Sequence, residues 1–256
     1  MNTLRIERKE SLAILRLNKA RGNAIDEPLV EDLIEGCRQL DADGSVRGIL
    51  LASAHPKLFS PGLDLIELIA YDRPAMERFM GKFAEAVWAL YALKKPLLAA
   101  VGGHAVAGGC VLALTADYRI LRRGGVNIGL NEIRVGLPLP WSVAILLRAS
   151  VRPERAAEAA LLGRNFADEE ALGVGFANEL APAEGFEGAC LTRLQEFAEK
   201  DPLAFATTKA YLRSASLEAM KARESGLAQE FLQSWFSEPT RARIRATVES
   251  LGKPKS

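Results

Sequence analysis

Two glycine-bearing corners constrain this chain more than any other feature. The first reads Leu58-Phe59-Ser60-Pro61-Gly62-Leu63-Asp64-Leu65, the second Ala105-Val106-Ala107-Gly108-Gly109-Cys110-Val111-Leu112. Each follows an apolar run (residues 48–54 and 96–101) and leads into a helix start. Glycine permits a tight turn and close backbone approach, and the first N–H groups of a helix have no partner inside it. Singly, each corner is ordinary strand–turn–helix punctuation. Aimed at one point, two such sets of donors would bind a developing negative oxygen, because the aligned peptide dipoles add positive potential there.

The pattern around the corners is α/β. Residues 4–7 and 12–17 alternate or cluster as strands, and residues 18–23 read as a loop. Asp26 can cap a helix with Pro28 in its first turn and Leu29, Leu33, Ile34, Cys37 and Leu40 on one face. Residues 46–53 and 97–101 are apolar at consecutive positions, as in strands buried on both faces. Phe79, Phe83, Val87 and Leu90 mark a long helix between them. Short strands are expected at 118–121 and 126–128. Strand, strand, helix recurs, which favours stacked α/β units over a bundle or a sandwich. After Pro140 the pattern turns helical, with helices expected at 156–162, 169–172, 186–199, 203–215 and 217–236, and one strand-like run near 176–180. The expected division is an α/β core over 1–140 and a mainly helical region over 141–256, joined without a linker. Leu227, Phe231, Leu232, Trp235 and Phe236 are more apolar residues than a lone surface helix needs, and are expected to bury against the core or a neighbouring subunit.

Charge and cysteine content narrow the function. Lys+Arg 33 against Asp+Glu 32 leaves a net charge of +1, so no global field recruits nucleic acid or an anionic membrane. Cys37, Cys110 and Cys190 are widely and irregularly spaced, which suits a reducing compartment and suggests neither disulfides nor a metal site. Two histidines, His55 and His104, argue against a histidine-based zinc centre. No apolar run approaches the roughly 18 residues of a membrane span. The first residues carry no signal-peptide core and the tail Lys253-Pro254-Lys255-Ser256 is no peroxisomal address, so cytoplasm is the expectation.

A carboxylate is needed for the donor pair to mean more than anion binding. Glu132 lies in Ile128-Gly129-Leu130-Asn131-Glu132-Ile133-Arg134-Val135-Gly136-Leu137-Pro138, an apolar stretch edged by glycine. Such a setting raises a carboxyl pKa towards useful general-base strength. The bland alternative is a solvated glutamate paired with Arg134.

With these segments in view, the chain resembles the crotonase (enoyl-CoA hydratase/isomerase) superfamily. The resemblance runs over nearly its full length through LRLNKARGNAI (residues 15–25), LFSPGLDL (58–65), AVGGHAVAGGCVLALTADYRIL (100–121) and IGLNEIRVGLP (128–138). Within the superfamily it is most similar to mitochondrial-type Δ3,Δ2-enoyl-CoA isomerases. The resemblance implies a spiral of strand–strand–helix repeats with a C-terminal helical region that packs trimers or dimers of trimers. It implies a coenzyme A thioester as substrate, fatty acid β-oxidation as setting, and no separate cofactor or metal. It assigns an oxyanion hole to the N–H groups of Leu63 and Gly108, acid–base chemistry to Glu132, and the adenosine end to residues 58–64.

One departure points to the reaction. Hydratases of the family carry a second glutamate three residues after the oxyanion-hole glycine, and Val111 stands there. Valine cannot hold a water molecule, whereas moving a double bond needs only one proton shuttle, so isomerase is expected. A weak hydratase, a thioester hydrolase and a non-catalytic acyl-CoA or RNA scaffold are the alternatives; the near-neutral charge speaks against RNA and the retained Glu132 against lost chemistry. Lys57, Phe59, Ser60, Pro61, Gly62, Asp64, Gly109, Val111, Trp141 and Lys209 complete the candidate substrate-binding set, Lys57 and Lys209 as partners for coenzyme A phosphates and Trp141 in an acyl pocket. Asp64 and Asp117 also suit capping or turns, and His104 and Cys110 suit structural roles.

Overall fold

The chain winds as a spiral in which each turn gives one strand to a large sheet and the next to a small one. The structure, a computed structural model, describes residues 1–251; the tail residues 252–256 lie outside the described residues. Strand β1 (Leu4–Lys9) pairs antiparallel with β2 (Leu12–Leu17). The one-turn α1 (Ala20–Asn23), with Arg21 and Gly22 left-handed, leads into α2 (Glu27–Ala42). Then come β3 (Gly48–Ser53), β4 (Leu58–Ser60), the short α3 (Leu65–Leu68) and α4 (Arg73–Tyr91). The next turn is β5 (Leu97–Val101), β6 (His104–Val106) and α5 (Gly108–Leu114), and the next β7 (Tyr118–Arg122), β8 (Asn127–Gly129) and α6 (Trp141–Ser150). The chain ends with α7 (Ala156–Leu161), β9 (Phe166–Ala167), α8 (Asp168–Val174), β10 (Glu179–Ala181), α9 (Phe186–Ala198), α10 (Pro202–Trp235) and α11 (Glu238–Leu251). The large sheet runs β1-β2-β3-β5-β7-β10 and the small one β4-β6-β8-β9.

The large sheet is buried on both faces, as its consecutive apolar runs require. Leu15, Ile49, Leu51, Leu97 and Ala99 enter the main core. Their alternates Ile14, Leu50, Leu98 and Ile120 meet Cys190 and Leu194 of α9 on the other face. Three helices start by one recipe, an aspartate cap followed at once by proline in the first turn. Asp26 accepts from Leu29 N–H at 3.0 Å, Asp72 from Ala75 N–H at 2.8 Å and Asp201 from Ala204 N–H at 2.8 Å.

The C-terminal half differs from expectation in three places. The helices expected at 203–215 and 217–236 form one helix of 34 residues, α10. Ser216 does not break a helix, and the apparent break is a change of neighbour: Leu203, Tyr211 and Leu212 are exposed, while Met220, Phe231, Leu232 and Trp235 are buried against the chain's own core. Helices α6 and α11 carried no expectation of their own. Helix α6 lies within the change of composition after Pro140, and α11 is so polar that Ile244 and Val248 are its apolar residues packed on the core, beside the buried Thr240. No described helix is long and apolar enough to cross a membrane.

Candidate active site

Strands β4, β6 and β8 run parallel to one another, so their carboxyl ends share an edge of the small sheet. Chain continuing from that edge delivers Leu63 after β4, Gly108 after β6 and Glu132 after β8. Three successive turns of the spiral thus supply one group each. All three line a cavity of about 270 Å³ together with Pro61, Met80, Phe83, Val111, Val143 and Phe231.

Local geometry explains why the two N–H groups are free. Ile25 N–H donates to Gly62 O and Asp64 N–H to Ile25 O, both at 2.8 Å, which straps the chain on either side of Leu63. Ala107 is held at φ 48°, ψ −127°, a strained setting for alanine, with its N–H on Gly129 O at 2.9 Å. Gly108 then opens α5, where helix geometry offers its N–H no partner. Among the described residues neither the Leu63 nor the Gly108 N–H has an acceptor. The corners touch: a Cβ on Gly62 (φ +95°) would lie 2.8 Å from Ala107 Cβ and 3.0 Å from Gly108 N. Gly109 allows α5 to pack on β4, since a Cβ there would lie 2.1 Å from Ser60 O.

Glu132 is the one carboxylate among the residues lining the cavity. The residue as a whole is only part-buried, yet its Oε2 is buried and has no hydrogen-bond partner. No ion pair joins it to Arg134 among the described residues. Burial pushes its pKa up to about 7. The group can therefore give and take a proton near neutral pH. The Cys110 thiol is also pushed well up, first by its own burial and then by the Glu132 carboxylate.

The remaining candidates separate by place. Pro61 and Val111 line the cavity, and Val111 is fully buried at the position where a second glutamate was looked for. Phe59 and Ser60 are buried behind it, Ser60 Oγ donating to Asn23 O at 2.8 Å. Asp64 caps α3 and pairs with Lys19, which also holds Asp26. Lys19 thus accounts for the meeting of Asp26 and Asp64, and the nearby Glu67 carboxylate accepts from Tyr71 O–H at 3.0 Å. Lys57 is exposed on the loop before β4. His104 accepts from Asn127 N–H at 3.0 Å, tying β6 to β8. Trp141 lies outside this lining: it faces an adjoining smaller cavity, its Nε1 donates to Ala219 O at 2.7 Å, and Arg223 covers its ring. Lys209 is removed from the cavity altogether. It is buried, 2.7 Å from Asp117, which also pairs with Arg213. Its charge is paired inside the fold, and the structure does not bring it to this cavity. Met80, Phe231 and Thr247 were not singled out for this cavity; Met80 sits beside an apolar stripe that reads as core, and Thr247 belongs to the polar α11.

The spiral, the shared strand edge and the cavity define a crotonase-type protein. The chain belongs to the enoyl-CoA hydratase/isomerase family, whose sequence profile matches residues 7–251. It is 30% identical to human mitochondrial enoyl-CoA delta isomerase 1 over 247 residues, covering 95% of this chain and 81% of that protein. It is 32% identical to the probable enoyl-CoA hydratase EchA17 of Mycobacterium tuberculosis over 200 residues, covering 78% of this chain and 76% of that one. The crystal structure of human mitochondrial Δ3,Δ2-enoyl-CoA isomerase superposes with a TM-score of 0.95 at 27% identity, over 99% of this chain and 100% of that one.

Proposed function

We propose that the chain isomerises 3-enoyl-CoA thioesters to 2-trans-enoyl-CoA with Glu132 as the single proton shuttle. Glu132 removes a proton from carbon 2, and the electron pair spreads into a dienolate whose charge collects on the thioester oxygen. The Leu63 and Gly108 N–H groups receive that oxygen, each worth about 3 kcal/mol of barrier as oxyanion donors are elsewhere. Return of the proton to carbon 4 leaves the double bond between carbons 2 and 3. One observation carries the reading: a lone carboxyl with pKa near 7 shares an apolar cavity with two unbonded N–H groups. Coenzyme A enters as part of the substrate, and nothing in the cavity lining asks for a metal.

Hydration is the second reading, favoured by relatives named as hydratases at similar identity. Against it stands Val111, which offers no second acid to hold water. Trans-3-hexenoyl-CoA and crotonyl-CoA separate the two: formation of conjugated thioester from the first should far exceed water addition to the second. Faster hydration of crotonyl-CoA would defeat the isomerase assignment. For assembly we propose the family's threefold symmetry, with the exposed Leu161, Leu162, Leu203, Tyr211 and Leu212 as available apolar area. A monomer by light scattering at micromolar concentration would contradict it.

A further inference from the structure

Helix α11 touches both segments that frame the cavity. It packs on α3, just past the Leu63 corner, and on the 3-10 turn Glu132–Val135. Thr240, Ile244 and Val248, spaced four apart, face the core on one side of the helix, and Thr247 reaches the cavity. In the turn itself none of residues Glu132–Val135 is fully buried, although Val135 packs against the edge of the core. Its own bonds are local: Arg134 N–H to Asn131 O, Gly136 N–H to Ile133 O and Leu137 N–H to Glu132 O. Gly136 closes it in the left-handed region at φ +86°. There the buried Thr240 hydroxyl donates to Gly136 O at 3.1 Å, across 104 positions of sequence. Among the described residues this is the one hydrogen bond that ties residues 131–136 to a distant part of the chain. The contact is also close-packed, since a Cβ on Gly136 would lie 2.7 Å from Thr240 Oγ1.

We propose that Thr240 is a positioning residue for Glu132: its hydroxyl anchors the far end of the Glu132–Val135 turn to α11 and so fixes where the carboxyl meets the substrate. The inference rests on the reading of Glu132 as the base. Displacing a reacting group by about 1 Å can cost on the order of a hundredfold in rate. A turn whose side chains are only part-buried, and which has one hydrogen bond to a distant element, is placed to shift by such amounts when that bond is lost.

Steady-state kinetics on trans-3-hexenoyl-CoA with Thr240→Val, Thr240→Ala, Thr240→Ser and Glu132→Gln test this, with circular dichroism and thermal unfolding on each protein. Both variants lacking the hydroxyl should lose about tenfold in kcat with KM within about twofold, because thioester binding does not depend on the aim of the base. Serine, which keeps the donor, should stay near wild type. Val and Ala leave different volumes, so one still reports if the other does not fold. Wild-type kcat in the Val or Ala variant, or an equal loss in the Ser variant, overturns the positioning role, as does a rise in KM that matches the loss in kcat. Turnover surviving in Glu132→Gln overturns the base reading and this inference with it. An inactive Glu132→Gln beside a fully active Thr240→Val overturns this inference alone.

Discussion

A carboxyl kept dry at neutral pH leaves a thermodynamic mark that needs no substrate to detect. The Glu132 carboxyl moves from an ordinary 4.5 to about 7 in the fold. That shift of about 2.5 units corresponds to about 3 kcal/mol at 1.36 kcal/mol per unit. Between the two values the native state holds a proton that the unfolded chain has released. Stability contributed at this group is therefore full below about pH 4.5, falls as pH rises, and levels off above about pH 7. Glu132→Gln removes the titration but brings N–H donors to a position where Oε2 has no partner, at a cost of about 1 kcal/mol. The variant should then be about 1 kcal/mol less stable than wild type near pH 4 and about 2 kcal/mol more stable near pH 8.5. Urea unfolding at a series of pH values reads the difference, provided the m-values agree. A difference that stays flat across this range would show that Glu132 titrates as a solvated glutamate, and the dry-site argument would fail. The same variant should lose at least about a hundredfold in turnover. In wild type, kcat/KM should rise with pH through an inflection near the same pKa, because the base of the free enzyme acts ionised.

Other substitutions test the rest of the site. Gly108→Pro removes one N–H at the first helical position and also brings a Cβ to 2.9 Å from Ile25 Cδ1, so in protein shown to be folded isomerisation should slow by at least about 10²-fold; full activity would put the second donor elsewhere. Val111→Glu should raise crotonyl-CoA hydration relative to wild type while costing a few kcal/mol of stability for an acid in a buried position; unchanged hydration in a folded variant would remove the argument from the missing second acid. Lys209→Met should destabilise the fold by about 3 kcal/mol by stripping one cation from Asp117, with KM for acyl-CoA unchanged; a selective rise in KM would return Lys209 to the binding set.

How far the sequence could be read depended on whether local chemistry and tertiary contacts agreed. Strands β2 and β5 fall where their consecutive apolar residues put them, and α2 begins where Asp26 and Pro28 say it should. The corners at Gly62 and Gly108 were legible because a close backbone approach excludes other residues. Glu132 stood out as an acid in apolar company. What escaped is set by neighbours far along the chain. Helix α10 changes packing partner midway, so its apolar residues change face and mimic a break near Ser216. Thr247 reaches the cavity from a helix whose composition is that of a solvated surface. Lys209 gave no sign that Asp117, 92 positions away, already held its charge.

The two unbonded donors at Leu63 and Gly108 are peptide groups, and this displaces fragility along the chain. Any residue but proline at position 63 brings the same N–H, so chemistry there is indifferent to the side chain carrying it. Sensitivity passes to neighbouring positions that supply neither donor. At Gly62 an added methyl would strike Ala107, and at Gly109 it would strike the Ser60 carbonyl. Damage to such a site would therefore enter through its scaffolding, and a map of intolerant positions would outline the turns around the pocket before it outlined the groups that act within it.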